Sequence, residues 1–326
     1  MLAQTYQNLS IVLINDGSTD MSLEIAKTYC ALDSRFVLID KENGGVSSTR
    51  NAGLDFLTKD FESFCQAPGI RSVFSSSLSS TYPPPPIGPK QITYVFFLDS
   101  DDFIQPDCIG SYVQMAQENN LEIVGSGIER YSSDYELMGK DFSLFENIAK
   151  NEILEGEAIL RKISQNYFHA VWNLLIDFDF FKRYGFRFIP QIIYEDHCFG
   201  TFLFLQAKRV MIANQYFYAQ VSSLNSITRP KQITQERKIL DLRSWIRTIE
   251  EMQKFPTHRD LLNTHISYFY LPMAYEACFK LKDRKKYQDR LRKFKYRTWK
   301  LLLLRDYPYL FFGLRFLKRI LISKIR

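Results

Sequence analysis

Histidine and cysteine are scarce in this chain of 326 residues. It contains four histidines and five cysteines, an odd number without regular spacing, and it has no Cys-x-x-Cys pair. Zinc sites are built largely from these residue types, so a zinc site is not expected. Irregularly spaced cysteines in odd number favour a reducing compartment over a disulfide framework.

Long apolar runs are also missing. No apolar segment reaches the roughly 20 residues that a membrane-spanning helix needs, and no signal peptide is recognisable at the amino terminus. Hydrophobic residues make up 46% of the chain and charged residues 24%. These proportions are typical of a globular protein with a sizeable core. We therefore expect a globular protein of the cytoplasm.

The positive charge is concentrated at one end of the chain. The net charge is +6, but residues 293–326 contain ten basic residues and one acidic residue, a net charge of +9, which leaves −3 for the remainder. A core with net negative charge and no known binding module argues against a nucleic-acid partner.

The most informative segment ends in an acidic cluster. Four apolar residues, Val95–Leu98, predict a buried strand, and Asp99, Asp101 and Asp102 follow directly. Open α/β sheets bind ligands beyond the carboxyl ends of their strands. Crowded carboxylates repel one another unless a cation lies among them, and oxygen-only ligands suit Mg²⁺ or Mn²⁺. A turn with a helix cap, where aspartate is also common, is the alternative.

The amino-terminal third alternates between predicted strands and helices. Strands are predicted at 10–14 and 36–39, and each is followed by a turn and a helix. This alternation predicts an α/β fold with a parallel sheet and crossover helices. Residues 60–93 interrupt it, because Ser75–Ser80 and Pro83–Pro86 are too rich in serine and proline to pack a core. We interpret them as an inserted surface loop.

The carboxy-terminal third lacks the strand pattern. Residues 231–255 and 261–282 predict two helices, and we assign 231–292 to a helical subdomain. In residues 293–326, apolar and basic residues are interleaved at helical spacing, which favours a basic amphipathic helix lying on an anionic membrane surface. A helix docked on the rest of the protein with a solvated basic edge is the alternative.

The order of several short motifs resembles that of the family 2 glycosyltransferases of GT-A fold. The motifs are Asn15–Asp20, Asn43–Gly45, Arg50–Gly53, Phe97–Asp102 and Glu195–Asp196. Together with Trp172–Asn173 and Asn225–Thr228, they look most like the galactosyl- and glucosyltransferases of epsilonproteobacterial lipooligosaccharide. The resemblance covers about residues 4–230. It implies a GT-A catalytic domain over 1–230, an α/β fold with a mixed, mostly parallel sheet and flanking helices.

The resemblance implies a donor site for a UDP-sugar. The residues implied at the donor are Asp16, Gly17, Arg50, Asn51, Asp99 and Ser226. Asp16 would read the uracil ring, Arg50 would lie near the diphosphate, which a guanidinium suits, and Ser226 would help to close a loop over it. The alternatives are an Asx-turn at Asp16 and a solvated helix face for Arg50.

The resemblance also implies a metal-dependent, inverting transfer. Asp99, Asp101 and Asp102 match the DxD pattern that holds Mn²⁺ or Mg²⁺, and the cation would stabilise the UDP leaving group. Asp196 is the candidate general base for the acceptor hydroxyl, and Glu195 beside it could hold acceptor or backbone. A helix N-cap is the alternative role for Asp196.

Two functions follow as hypotheses. In the first, the chain transfers galactose or glucose from a UDP-sugar to a lipooligosaccharide, lipopolysaccharide or related surface glycan, at the inner face of the cytoplasmic membrane. The second starts from the amino terminus, where family members have a further strand and helix with an Ile-Pro-x-Tyr-Asn type motif. Without that strand the sheet would expose an unpaired edge, and the chain would be a truncated, non-catalytic remnant that binds partners or membranes.

Overall fold

The computed structural model describes residues 1–75, 92–163, 171–222, 233–294, 298–307 and 310. The chain divides into two compact units. The first comprises residues 1–160, 168–191 and 195–226, and the second comprises residues 161–167, 192–194 and 227–326. The described strands all belong to the first unit.

A three-stranded sheet opens the first unit. β1 (Ile11–Asp16) pairs in parallel with β2 (Phe36–Lys41), and β3 (Ile70–Phe74) adds to β2 in the antiparallel direction. All six residues of the central strand β2 are buried, whereas most of β1 is only half-buried. The strands predicted at 10–14 and 36–39 are therefore confirmed, with slightly longer bounds.

Two helices connect and pack against these strands. They are α1 (Ser22–Leu32) and α2 (Gly45–Thr58). α1 contributes Cys30 to an apolar cluster with Ile11, Phe36 and Leu38. α2 starts at Gly45, whose φ of +78° lies in the left-handed region that side chains rarely adopt. The predicted strand–helix alternation is present in this part of the chain.

The second sheet of this unit has seven strands. They are β4 (Tyr94–Phe96), β5 (Phe103–Ile104), β6 (Ile123–Tyr131), β7 (Leu137–Asp141), β8 (Ile153–Leu154), β9 (Leu174–Asp177) and β10 (Val210–Val221). Their order is β4-β9-β6-β10-β5, with β7 paired to β6 and β8 paired to β10. β6 and β10 run parallel, and the other described pairs of this sheet are antiparallel.

Four helices lie between these strands in sequence. They are α4 (Cys108–Asn119), α5 (Gly156–Lys162), α6 (Phe178–Tyr184) and α7 (Glu195–Gln206). α4 buries Tyr112 completely, and the phenol oxygen lies 2.6 Å from Asn173 Oδ1 and 2.8 Å from Ser126 Oγ. A buried hydroxyl needs such partners, and these contacts join α4 to β6 and to the residue before β9.

The mixed α/β architecture with flanking helices is confirmed, but the predicted share of parallel pairing is too high. Two of the eight described strand pairs are parallel and six are antiparallel. A parallel pair needs a long crossover connection, whereas antiparallel neighbours do not. A single sheet is also not observed, because β1 and β4 lie in separate sheets.

The prediction of a surface loop over residues 60–93 is partly wrong. α3 (Phe61–Cys65) and β3 lie within it. Ile70, Val73 and Phe74 give β3 the apolar, branched and aromatic side chains that suit a strand, and the edge of β2 supplies its hydrogen-bond partners. Residues 76–91, which include most of the serine- and proline-rich stretch, lie outside the described residues.

The described part of the second unit is helical. Its helices are α8 (Gln235–Lys254), α9 (Arg259–His265), a π-helical turn at Ile266–Tyr270, α10 (Leu271–Phe279), α11 (Lys285–Arg292) and α12 (Trp299–Asp306). The predicted helices at 231–255 and 261–282 correspond to α8 and to α9 with α10. The boundary of the helical subdomain at 231–292 stays a prediction.

Most of the predicted amphipathic tail helix lies outside the described residues, which reach 307 and include 310. Among the helices that the structure does describe, none has both the length and the apolar character needed to cross a bilayer.

Candidate active site

The acidic cluster forms a tight turn directly after β4. The Asp102 amide donates to the Asp99 carbonyl at 3.1 Å. β10 holds the turn in place, because the Tyr218 hydroxyl donates to Asp102 Oδ2 at 2.7 Å and the Val221 amide donates to Asp102 Oδ1 at 2.8 Å. Asp101 is exposed at the apex. The turn is therefore fixed on one side and open to solvent on the other.

The carboxylate of Asp102 is difficult to ionise in this position. Burial raises its pKa to about 6, and the nearby charges of Asp101 and Asp99 act in the same direction. The hydrogen bonds from Tyr218 and Val221 lower the pKa but do not compensate. The turn therefore carries more negative charge than its protein partners neutralise.

Arg50 on α2 joins this turn to a second pair of carboxylates. Its Nη2 lies 2.7 Å from Asp99 Oδ1 and its Nη1 lies 2.6 Å from Glu195 Oε1. The guanidinium also lies over the ring of Phe188, 5.2 Å from the ring centre. Burial alone would lower the pKa of Arg50, but the charges of Asp99, Glu195 and Asp196 together raise it. Arg50 is thus a buried cation shared between carboxylates.

Glu195 and Asp196 form the first turn of α7. The positive end of the helix dipole favours acidic residues at this position. Burial raises the pKa of both carboxyl groups, and the charge of Glu195 further raises that of Asp196. The Arg50 guanidinium counteracts both shifts. A carboxylate with a raised pKa is a better proton acceptor, which is what a general base requires.

Asn51, the neighbour of Arg50, makes a reciprocal pair of hydrogen bonds with the backbone of Phe188. Asn51 Nδ2 donates to the Phe188 carbonyl and the Phe188 amide donates to Asn51 Oδ1, both at 2.9 Å. Both ends of the amide are therefore engaged in holding the chain segment whose ring lies under Arg50. This arrangement gives Asn51 a positioning role, and a donor contact remains a prediction.

Asp16 lies at the amino-terminal end of α2. Its carboxylate accepts the amides of Gly44 at 3.0 Å and Gly45 at 2.7 Å, and it forms an ion pair with Lys41. It therefore caps the amino terminus of α2. Gly17 has a φ of +69°, and a Cβ there would lie 2.8 Å from the Asn43 amide nitrogen. Only glycine fits where these two loops approach so closely.

The structure brings together five of the predicted site residues: Asp99, Asp102, Arg50, Glu195 and Asp196, with Asp101 exposed beside them. Asp16, Gly17 and Asn51 have the separate contacts described above. Ser226 lies outside the described residues. Roles in donor binding remain predictions for all of these side chains.

The carboxylate oxygens of the acidic turn are the ligand type that a hard divalent cation prefers, but they do not form a complete metal site. Among the described residues, no group of three or more His, Cys, Asp or Glu side chains is arranged to hold a metal ion. Asp99 Oδ1 is engaged by Arg50. Asp101 is exposed and Asp102 is poorly neutralised, so these two residues would hold Mg²⁺ or Mn²⁺.

Sequence reasoning missed three residues that shape this site: Tyr218, Phe188 and Lys41. Tyr218 holds Asp102, and its ring lies 4.8 Å from that of Trp172, which is buried. Trp172 therefore packs in the core. The only signal for Tyr218 is a phenol in an apolar strand, and a buried phenol usually has a polar partner.

The chain is similar in sequence to known glycosyltransferases. Residues 1–67 match the family model described as glycosyl transferase family 2. The glycosyltransferase EpsJ of Bacillus subtilis is 27% identical over 233 residues, which cover 70% of this chain and 57% of EpsJ. The cholesterol galactosyltransferase of Borreliella burgdorferi is 23% identical over 255 residues, covering 72% of this chain and 58% of that protein. The chain thus spans a little over half the length of these two relatives.

Solved structures show the same fold. The S. aureus TarS structure (residues 1–349), in complex with UDP-GlcNAc, superposes with a TM-score of 0.57 at 15% identity, covering 87% of this chain and 71% of that 1–349 chain. These relatives do not show the resemblance to epsilonproteobacterial enzymes. The chain has the GT-A fold, and its residues 1–67 match the family 2 glycosyltransferase model.

Proposed function

We propose that this chain is an inverting glycosyltransferase that moves a hexose, galactose or glucose, from a UDP-sugar to a lipooligosaccharide or related surface glycan. The observation that carries the proposal is the cluster of Asp99, Glu195 and Asp196 around the Arg50 guanidinium, beside the acidic turn. The family 2 segment and the GT-A fold support the reaction class. TarS is solved with UDP-GlcNAc, which supports a nucleotide-sugar donor.

The proposed reaction requires one proton acceptor and one leaving group on opposite faces of the sugar. Asp196 accepts the proton of the acceptor hydroxyl, whose oxygen forms the new bond to the anomeric carbon. The bond from that carbon to the diphosphate breaks, and UDP leaves with the electron pair. Glu195 remains paired with Arg50, so it orients the guanidinium and leaves Asp196 as the free carboxylate of the pair.

A divalent cation fits the same scheme. Mn²⁺ or Mg²⁺, held by Asp101 and Asp102, would supply positive charge against the departing diphosphate. Tyr218 and Val221 hold Asp102 at the turn, and Arg50 holds Asp99 beside it. The protein side chains therefore pre-position the carboxylates before any ligand arrives.

The acceptor and the membrane belong to the same proposal. The Borreliella relative is named for cholesterol, which supports an acceptor with a lipid part. The basic, apolar sequence of residues 293–326 supports peripheral association with the inner face of the cytoplasmic membrane. Deletion of 293–326 should release the protein from vesicles that contain anionic lipid.

The proposal is tested by Asp196→Asn. The substitution keeps the shape and removes the base, so we expect UDP-hexose binding to remain within about threefold while the transfer rate falls by about 10²–10⁴-fold. Calorimetry measures the first quantity and release of UDP in the presence of acceptor measures the second.

Asp179→Asn is the matched control, because Asp179 is an exposed first-turn residue of another helix, α6. It should leave both quantities unchanged. Near-normal transfer by Asp196→Asn would exclude Asp196 as the base.

A further inference from the structure

An apolar patch lies immediately beside the acidic turn. Phe103 follows Asp102 in the chain, and its ring lies 4.9 Å from the ring of Tyr131 and 6.5 Å from that of Tyr135. β7 continues the patch with its first two residues, Leu137 and Met138, and Leu137 is the cross-strand partner of Tyr131. We call these five residues, Phe103, Tyr131, Tyr135, Leu137 and Met138, the hairpin patch.

The outer part of the hairpin patch is exposed to an extent that core packing does not explain. Tyr135 is 67% exposed, Leu137 is 51% exposed and Met138 is 68% exposed. Single exposed apolar residues are ordinary, but a contiguous group at a site marks a binding surface. This group is continuous, through Phe103, with the turn proposed to bind the donor.

The hairpin holds these side chains in a defined position. Ser132 accepts the amides of Asp134 at 3.2 Å and Glu136 at 3.1 Å through its hydroxyl, and its own amide donates to the Glu136 carbonyl at 2.9 Å. Tyr135 has a φ of +62°, a conformation that is uncommon for an aromatic residue. The exposed tyrosine is therefore presented by a turn with four internal hydrogen bonds, including that from its own amide to the Ser132 carbonyl.

The charged residues around the hairpin patch indicate which kind of group can bind there. Asp134 and Glu136 are exposed within the hairpin tip and Asp101 is exposed on the adjoining turn. The basic side chains of the same two strands, Lys140 and Arg130, are paired with Glu129 and Asp141. The rim is therefore acidic. An anionic lipid surface would be repelled by this rim, whereas an uncharged apolar group would not. Aromatic and thioether side chains are suited to contact such a group.

We propose that the hairpin patch binds the apolar aglycone of a neutral acceptor glycoside. The inference rests on the proposed function, because it places the acceptor's apolar part next to the carboxylates that would act on its sugar. Phe103 and Tyr131 form the inner wall, and Tyr135, Leu137 and Met138 form the outer contact.

The test compares n-octyl β-D-glucoside, below its micelle-forming concentration, with methyl β-D-glucoside. The full chain should bind the octyl glycoside at least tenfold more tightly, because several buried methylene groups each strengthen binding. Tyr135→Asn with Met138→Ser should reduce this preference at least fivefold. Asparagine is chosen because it tolerates the left-handed backbone of residue 135. Leu137→Ser is a second, independent variant with the same expected direction.

Ile25→Ser with Leu32→Ser on α1 is the matched control, since these residues are 55% and 71% exposed. It should keep the preference. Equal binding of both glycosides by the unaltered chain, or a preference that survives the patch substitutions, would overturn the proposal. So would a patch variant that loses binding to phosphatidylglycerol vesicles but keeps its preference for octyl glucoside, because the patch would then be a membrane contact.

Donor binding separates the two proposals. UDP-glucose is titrated into the same variants, and the patch substitutions should not change its affinity. An unaltered chain that prefers octyl glucoside but binds no UDP-hexose supports the patch and contradicts the proposed transferase.

Discussion

β1 ends in Asp16, and the turn after β4 contains Asp102, but the two carboxylates have different partners. Asp16 is paired with Lys41 and accepts two backbone amides at the start of α2. Asp102 has hydrogen bonds from Tyr218 and Val221, yet it remains next to two further aspartates. The first carboxylate is neutralised by the protein, and the second is not.

This difference indicates where function resides in the first unit. A carboxylate with matched donors stabilises the fold, whereas an under-neutralised group of carboxylates needs a cation or a proton from elsewhere. Within the described residues, Arg50 makes both ion pairs found among Asp99, Asp101, Asp102, Glu195 and Asp196. This imbalance of charge is the reason for proposing that the corner after β4 binds a cation.

The largest expected effect comes from removing the shared cation. Arg50→Ala should lower the free energy of unfolding by about 3–5 kcal/mol, because breaking a buried ion pair leaves uncompensated charge. Urea denaturation followed by circular dichroism measures the change. Arg183→Ala, which removes an exposed arginine 3.8 Å from Glu122, is the control and should change little. A loss below about 1 kcal/mol for Arg50→Ala would mean that solvent already compensates the charges of Asp99 and Glu195.

The corner after β1 should respond less strongly. Asp16→Ala removes the cap of α2 and the partner of Lys41, so we expect a loss of about 1–3 kcal/mol in unfolding free energy. Lys41→Met keeps the cap and removes only the charge. A double-mutant cycle should give a nonzero coupling free energy between Asp16 and Lys41. Zero coupling would show that the ion pair contributes nothing and that the amide contacts alone matter.

The smallest expected effect comes from Tyr218, which supports the acidic turn. Tyr218→Phe removes the hydroxyl that donates to Asp102, and it should cost about 1 kcal/mol of stability. It should also weaken Mn²⁺-dependent UDP-hexose binding a few-fold, since Asp102 would be less well positioned. Calorimetry and denaturation on the same variant separate the effects. Unchanged affinity with reduced stability would make Tyr218 a structural residue only.

The parts of the fold predicted from sequence are those with local signals. β1 and β2 follow from apolar runs, and α2 follows from the Asn43–Gly45 turn before it. The acidic cluster follows from the aspartates that come directly after an apolar run. β3 was missed because its neighbours in sequence are rich in serine and proline. Its position depends on the free edge of β2, which no local pattern records.

The links within the site are non-local, so the sequence could not supply them. Arg50 and Glu195 are separated by 145 positions, and Asp102 and Tyr218 by 116. The resemblance implies that Arg50 lies near the diphosphate, and this stays a prediction; the sequence does not show that its guanidinium is engaged by Asp99 and Glu195. Motif matching gives the residue types, and only the fold gives their partners.

Binding of UDP-galactose and UDP-glucose, measured by calorimetry with and without Mn²⁺, tests the central claim most directly. The unaltered chain should bind at least one of them in a Mn²⁺-dependent manner, and Asp101→Ala should weaken binding at least tenfold while Asp179→Ala does not. Asp101 is exposed, so its loss should not disturb the fold. Binding that is independent of Mn²⁺ and unaffected by Asp101→Ala would remove the acidic turn from the donor site. No binding of either nucleotide sugar would contradict the transferase account and favour a non-catalytic binding protein.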